Sequence, residues 1–204
     1  MYGLSKEKIP VVYNGIDLSK CEIKNSYHAG DILHIIHVGR FRAQKNHELL
    51  INAFADFVKK YPDADLTLLG DGELEENIKS LVNSLSISDK VRFEGSRDNV
   101  FPYLNKADIF VLPSLYEGVP MSIIEAMGTG LPIIASNVGG IPDMLKDGDD
   151  ALLINSGMEN LRNAFIKLTD EGLREKLGKA ALKGAAGRFS SKAMAQSYMK
   201  IYTA

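Results

Sequence analysis

Short apolar runs alternate with amphipathic stretches along most of this 204-residue chain. A short apolar run that ends at Gly, Pro or a polar residue is typical of a buried strand, and apolar residues spaced by three or four positions are typical of a helix. On this basis we predict six strands, over residues 32–38, 65–69, 91–94, 108–112, 133–136 and 151–154. Helices are predicted between them, over residues 46–61, 73–85, 100–106 and 121–127, with two or three more over 158–202.

The order of these elements predicts the fold class. Strands that alternate with helices and are apolar throughout indicate an α/β protein with a doubly wound, mainly parallel sheet covered on both faces. Such sheets bind ligands in the crevice beyond the carboxyl ends of their strands. The loops that follow strands are therefore the places to look for function, and they span residues 39–46, 70–72, 94–99, 113–120 and 137–142.

Composition excludes several classes of protein. A hydrophobic content of 45% allows a substantial core, and a net charge of −2 argues against a nucleic-acid partner held by bulk electrostatics. The single cysteine, Cys21, allows no internal disulfide. We see no signal peptide and no run long enough to span a membrane, so we expect a cytoplasmic protein.

Familiar catalytic motifs are missing from the sequence. There is no GxxxxGK[ST] phosphate loop, and Ser114 and Ser122 lack the GxSxG turn of a hydrolase nucleophile. His34 and His37 resemble a ligand pair by spacing, but residues three apart on a strand point to opposite faces, so we expect both to be structural. No DxD motif stands out, and we predict no metal site.

The loop GRFRAQKN, residues 39–46, follows the first predicted strand. Gly39 permits a tight turn and the close approach of a ligand. Arg40 can bind a phosphate through two parallel hydrogen bonds, Lys45 can add a point charge, and Asn46 is a candidate side-chain cap for the next helix. A solvated basic loop fits the same residues.

The stretch EGVPMSIIEAM, residues 117–127, places two carboxylates around an apolar run. Pro120 suits the first position of a helix, and the first-turn amides of that helix form an anion site. Gly118 lets the backbone pass close to a ligand, so Glu117 in the loop and Glu125 on the helix can face one crevice. Taken alone, the motif is explained slightly better without a site, with Glu117 as a loop charge and Glu125 as a solvated charge on the helix.

The motifs occur together in a familiar order. GRFRAQKN, LLGDGELEENIK, VRFEG, ADIFVLPSLYEGVPMSIIEAMGTGLPIIAS and NVGGIPDML follow one another along the chain. This series resembles the C-terminal, donor-binding half of the group 1 glycosyltransferases, the retaining glycosyltransferase family 4, whose GT-B fold has two Rossmann-like domains facing a cleft. The resemblance covers residues 11–204 and centres on the E-x7-E element.

The resemblance implies a role for each matching residue. Arg40 and Lys45 would hold the diphosphate of a nucleotide sugar, Glu117 would contact its sugar, and Glu125 would bind the ribose hydroxyls. Backbone groups would complete the site at Gly39, Phe93, Gly118, Val119, Pro120 and Met121. The donor would be a UDP-, GDP- or ADP-linked sugar, and no cofactor is implied. Many relatives have Glu-Gly-Phe-Gly, and Pro120 here removes one amide.

The resemblance also implies a domain organisation. Residues 1–25 would link two halves, 26–188 would form the Rossmann-like donor domain, and the helix over 189–204 would return toward an N-terminal half that carries the acceptor. The acceptor would be a sugar or a lipid-linked sugar in polysaccharide, lipopolysaccharide or glycolipid synthesis. We expect the isolated chain to bind nucleotide but to transfer no sugar without that half. Three helically spaced lysines could touch an anionic membrane or form a solvated face: Lys176, Lys179 and Lys183.

Two other functions remain open on the sequence. The chain could be a non-catalytic nucleotide-binding module, or the subunit of a split enzyme. It could also be half of an epimerase-like or phosphorylase-like enzyme of the same fold. Retention of Arg40, Lys45, Glu117 and Glu125 favours a glycosyltransferase over a degenerate module.

Overall fold

Six parallel strands form a single central sheet in the order β3-β2-β1-β4-β5-β6. A computed structural model describes residues 10–203 of the chain. The strands are β1 (Leu33–Val38), β2 (Ala64–Leu69), β3 (Val91–Gly95), β4 (Ile109–Leu112), β5 (Ile133–Ser136) and β6 (Leu152–Ile154). The predicted fold class is confirmed, and each predicted strand lies within one residue of an observed one at either end.

Eight α-helices connect and cover the strands within residues 10–203. They are α1 (His47–Val58), α2 (Glu75–Ser84), α3 (Phe101–Leu104), α4 (Met121–Thr129), α5 (Ile141–Met144), α6 (Met158–Lys167), α7 (Glu171–Arg188) and α8 (Ser191–Tyr202). The predicted helices are confirmed, with α1 to α3 shorter than expected. The short helix α5 was not predicted, because its four residues follow a Gly-Gly turn and are too few to show a periodicity.

Each face of the sheet has its own apolar core. Successive residues of β1 point to opposite faces of the sheet, so Ile35 packs in one core and Ile36 in the other. The first core contains Phe54, Phe57 and Phe165 under α1, α2 and α6. The second contains Phe110, Met127 and Phe189 under α4, α5 and α7. Burying one such side chain contributes about 1.5–3 kcal/mol to folding, so the sheet is held firmly on both sides.

The two histidines of β1 lie on opposite faces, as predicted. Nδ1 of His34 lies 2.7 Å from Oδ1 of Asp65 on one face. His37 is fully buried on the other face, where its Nδ1 donates to the carbonyl of Val111 at 2.9 Å. The two imidazoles therefore have separate partners, as expected for structural residues.

The segment before β1 packs onto the second face and pairs with the start of α8. The amide of Ile16 donates to the carbonyl of Phe189 at 2.9 Å, and the amide of Ser191 donates to the carbonyl of Ile16 at 2.8 Å. Lys24 anchors the segment further along, because its ammonium donates to the carbonyl of Ala107 at 2.7 Å. Residues 1–9 of the predicted linker and residue 204 of the predicted last helix lie outside the described residues. None of the helices within residues 10–203 is both long and apolar enough to cross a membrane.

Candidate functional site

The strand order places a crevice between the loops that follow β1 and β4. The chain runs from β1 outward through β2 and β3, and then returns to β4 on the other side of β1. The loops after β1 and β4 consequently diverge, and this topological switch point is where doubly wound sheets bind ligands. The two loops are also joined, since the amide of Leu115 donates to the carbonyl of Gln44 at 2.8 Å and the Gln44 side chain donates to the carbonyl of Tyr116 at 2.9 Å.

A half-buried ion pair occupies the crevice. Nζ of Lys45, from the first loop, lies 2.6 Å from Oε1 of Glu117, from the second. The side chains of Lys45 and Glu117 are only 16% and 6% exposed. Charges so far from water interact much more strongly than a surface pair. Two of the predicted site residues, 72 positions apart in the sequence, are thereby brought into direct contact.

The Gly-Gly turn after β5 supports the Glu117 loop from behind. The amide of Gly140 donates to the carbonyl of Glu117 at 3.1 Å. A Cβ atom at Gly139 would lie 1.9 Å from that carbonyl oxygen, and one at Gly140 would lie 2.3 Å from the carbonyl oxygen of Gly118. Gly139 also has a φ of 55°, which side chains disfavour. Only glycine therefore fits this turn, and the turn fixes the position of residues 117–118.

The basic loop begins at Gly39, whose amide donates to the carbonyl of Leu69 at 2.9 Å. A Cβ atom at Gly39 would lie 3.2 Å from the side chain of Lys45, so the residue makes room for that lysine. Arg40 is exposed, and it forms no ion pair with another residue between 10 and 203. Its guanidinium is thus free to meet an anion from solvent.

Two helix starts differ in detail from the prediction. Asn46 is the N-cap residue of α1, as predicted, but its backbone is left-handed (φ 55°, ψ 44°) and its side chain makes no capping hydrogen bond. A 3₁₀ turn over Ala43–Lys45 ends at this residue and fixes its backbone in that region. Pro120 is the cap of α4 and not its first residue, since its ψ of 119° is extended. The helix begins at Met121, so the anion-binding first turn starts one residue later than predicted.

Glu125 lies on α4, one turn after the first residue of the helix, and is half-buried. Burial raises the pKa of its carboxyl group above the usual value. It accepts no hydrogen bond from residues 10–203. Burial, helped by the charge of Glu125, raises the pKa of the nearby Cys21 thiol to about 11. Glu125 is therefore a carboxylate that no residue in this part of the chain satisfies, and it does not contact the Lys45–Glu117 pair.

The remaining predicted residues surround this centre. Gly118 is exposed, Val119 is half-buried, and Met121 is 38% exposed at the start of α4. Phe93, in the middle of β3, stacks against Phe41 of the basic loop with ring centroids 5.9 Å apart. Within residues 10–203 no group of three or more His, Cys, Asp or Glu side chains could hold a metal ion.

Sequence reasoning missed two features of the site. Ser114, considered only as a nucleophile, donates its hydroxyl proton to Oε1 of Glu117 at 2.7 Å. His47, the first residue of α1, is buried beneath the basic loop, 4.6 Å from His37 between ring centroids. Ser114 lies three residues before Glu117 in an irregular loop, and His47 contacts a residue ten positions earlier on a strand. Neither contact has a local sequence pattern.

Known proteins are similar to this chain along most of its length. The model of the family described as "Glycosyl transferases group 1" matches residues 21–184. N-acetyl-alpha-D-glucosaminyl L-malate synthase of Bacillus anthracis is 34% identical over 95% of this chain and 53% of its own length. UDP-Gal:alpha-D-GlcNAc-diphosphoundecaprenol alpha-1,3-galactosyltransferase of Escherichia coli is 32% identical over 80% of this chain and 46% of its own length. The chain therefore spans about half the length of the curated relatives it matches.

Solved structures are similar in fold. Anabaena HepE, solved in complex with UDP and glucose, superposes with a TM-score of 0.85 at 21% identity, over 99% of this chain and 58% of HepE. The C-terminal domain of a group 1 glycosyl transferase from Francisella tularensis, LpcC, superposes with a TM-score of 0.76 at 20% identity, over 87% of this chain and all of that domain. These similarities confirm the predicted fold as the C-terminal, Rossmann-like half of a GT-B protein. With the family match over residues 21–184, they show that this chain belongs to the glycosyl transferases group 1 family.

Proposed function

We propose that this chain binds the nucleoside diphosphate sugar donor of a glycosyl transfer reaction. The observation that carries the proposal is the contact of Lys45 with Glu117 at the switch point between β1 and β4. This contact places a cation and a carboxylate side by side in the crevice where doubly wound sheets bind nucleotides. A nucleotide sugar needs both groups, a cation for its diphosphate and a hydrogen-bond acceptor for its hydroxyls.

The donor has four parts, and the site offers a partner for each. Arg40 and Lys45, together with the first-turn amides of α4, bind the diphosphate. Glu117 accepts hydrogen bonds from the sugar. Glu125 is left without a partner and binds the paired hydroxyls of the ribose. Backbone at the end of β3, next to Phe93, contacts the base.

The same groups assist bond cleavage. As the bond between the sugar and the diphosphate breaks, negative charge develops on the leaving diphosphate. In this proposal Arg40, Lys45 and the first-turn amides of α4 meet that charge, and preorganised charges of this kind stabilise a transition state more than a ground state. The proposed mechanism assigns this stabilisation to protein groups and requires neither a metal ion nor a cofactor. The resemblance to retaining enzymes further predicts that the anomeric configuration is kept.

Relatives suggest the base and the acceptor. The Escherichia coli galactosyltransferase is named for a UDP sugar and a diphosphoundecaprenol-linked acceptor, which supports a UDP sugar as donor and a sugar or lipid-linked sugar as acceptor. A second Rossmann-like domain across the crevice would carry that acceptor, and without it the chain is expected to bind donor but to transfer no sugar. Contact with an anionic membrane has weaker support, because Lys176 and Lys179 already bind Gly148 and Glu175.

The first experiment is a calorimetric titration of the purified chain with UDP, GDP and ADP. UDP is expected to bind, and both Arg40→Ala and Glu125→Ala are expected to weaken its binding about tenfold or more, because each removes a charged partner of the ligand. Arg42→Ala is the matched control, since Arg42 belongs to the same loop but is exposed and pairs only with Glu73. No binding of any nucleotide, or equal losses in all three variants, would contradict the proposal.

A second experiment tests transfer. The chain is incubated with a radiolabelled UDP sugar and a lipid extract as acceptor. We expect no labelled lipid unless the second domain is supplied. Labelled product from the chain alone, lost in Arg40→Ala, would show that the acceptor domain is dispensable.

A further inference from the structure

The carboxylate of Glu117 is held through only one of its two oxygens. Lys45 Nζ lies 2.6 Å from Oε1, and Ser114 Oγ lies 2.7 Å from the same atom. Oε2 accepts no hydrogen bond from residues 10–203 and keeps contact with solvent. The two oxygens therefore differ, because Oε1 is engaged with the protein and Oε2 is available to another hydrogen-bond donor.

The two donors to Oε1 differ in how firmly they are fixed. Ser114 lies two residues after the buried end of β4 and is only 2% exposed, and its hydroxyl has one proton to donate. Lys45 has a flexible four-carbon stem and three protons. When a diphosphate attracts the lysine, Ser114 remains as the donor whose position does not change. An unpaired buried hydroxyl also costs free energy, so the hydrogen bond from Ser114 to the Glu117 carboxylate is favoured.

We propose that Ser114 is a positioning residue, which fixes Oε1 of Glu117 so that Oε2 faces the crevice and accepts a hydrogen bond from a hydroxyl of the donor sugar. This inference rests on the proposed function, and it assigns no covalent role to the serine. It predicts that Ser114 matters for the sugar part of the donor and not for the nucleotide part.

The test compares the affinity for UDP with the affinities for UDP-glucose, UDP-galactose and UDP-N-acetylglucosamine. The UDP sugar that the wild-type chain binds most tightly then serves as the probe. In Ser114→Ala its affinity is expected to fall about tenfold, the equivalent of one hydrogen bond, while the affinity for UDP changes less than about twofold. Ser114→Thr keeps the hydroxyl and is expected to restore the affinity to within about threefold.

Ser136→Ala is the matched control. Ser136 is a buried serine at the carboxyl end of the neighbouring strand β5, and its hydroxyl has no partner among the described residues. This substitution removes the same hydroxyl group without affecting Glu117, so the affinities for UDP and for the UDP sugar should both stay at the wild-type level. Equal losses for UDP and the UDP sugar in Ser114→Ala, or no loss at all, would overturn the inference.

Failure of the proposed function would be seen separately, as a wild-type chain that binds none of these ligands. The inference is then decided by crystal structures of the ligand-free variants. With Ser114→Ala the Glu117 carboxylate is expected to leave its single position and occupy a second rotamer, and with Ser136→Ala it should not. One unchanged carboxylate position in Ser114→Ala would refute a positioning role.

Discussion

The buried pair of histidines beneath the basic loop should make the chain less stable below neutral pH. His37 and His47 are 0% and 2% exposed, and their rings meet edge to face. The Nε2 atom of His37 and both ring nitrogens of His47 have no hydrogen-bond partner among the described residues. Burial, helped by the nearby charge of Lys45, lowers the pKa of His47 from 6.5 to about 4 and that of His37 well below 6.5. Both imidazoles are therefore neutral in the folded chain.

The size of the effect follows from the pKa of His47. In the unfolded chain its pKa returns to about 6.5, so between that value and about 4 the unfolded form binds one more proton than the folded form. The free energy of unfolding then rises with pH at about 1.4 kcal/mol per unit and falls as the solution is acidified. Between pH 7 and pH 5 the loss from His47 alone is about 2 kcal/mol. Burial of Glu125 acts in the opposite direction, because its raised pKa favours the folded form in acid.

The measurement is the difference between the wild-type chain and His47→Phe. Phenylalanine keeps the stacking on Phe41, whose ring lies 4.3 Å from that of His47, and it cannot take up a proton. Urea titrations at pH 7, 6 and 5 are followed by circular dichroism, because the chain contains no tryptophan. We expect the variant to lose about 2 kcal/mol less than the wild type between pH 7 and pH 5, with His37 and the carboxyl groups cancelling in the comparison.

Identical pH dependence in the wild type and in His47→Phe would refute the reasoning. It would mean that His47 is protonated in the folded chain at pH 5, and that the loop above it opens to water.

Other substitutions test the packing that supports the site. In α7, Gly178→Ala should lower the free energy of unfolding by about 2 kcal/mol or more, because its Cβ would lie 2.3 Å from the carbonyl oxygen of Gly130. At Gly187 in the same helix an added Cβ meets open space, so Gly187→Ala should raise the free energy of unfolding by up to about 1 kcal/mol. Equal effects of the two substitutions in urea titrations would contradict the close contact of Gly178 with Gly130. Arg174→Met should lower the free energy of unfolding by about 3 kcal/mol, because the buried guanidinium donates to the carbonyl of Tyr27 and to two carbonyls after α6. A loss below about 1 kcal/mol would show that water replaces the guanidinium.

The sheet could be predicted from the sequence because its strands are buried on both faces. A run such as residues 109–112 is apolar at every position, and Pro113 ends it. Such a run predicts a strand whichever strands lie beside it in the sheet. The position of β4 beside β1, by contrast, is decided by the packing of whole helices, and no periodicity records it.

The ends of helices were harder to predict for a related reason. Proline has the same φ before a helix and in its first turn, so only ψ tells the two apart. At Pro120 that angle is set by the loop before it, which rests on the turn at Gly139. At Asn46 the preceding 3₁₀ turn decides the backbone before the side chain can cap. At Pro120 a tertiary contact overrides a valid local preference, and at Asn46 the neighbouring turn does so.

The Lys45–Glu117 pair shows why the residues of the site could be named and its geometry could not. The resemblance to the family implies that both side chains contact the ligand, yet in the structure they bind each other. A buried ion pair adds little to stability once desolvation is counted, so its value to the fold is small. Its effect on the site is larger, because each charge keeps the other in the crevice and out of bulk water. Under the proposed function, an arriving diphosphate would exchange one anion for another at a lysine that is already desolvated, and Glu117 would turn to the sugar with Ser114 still holding its first oxygen.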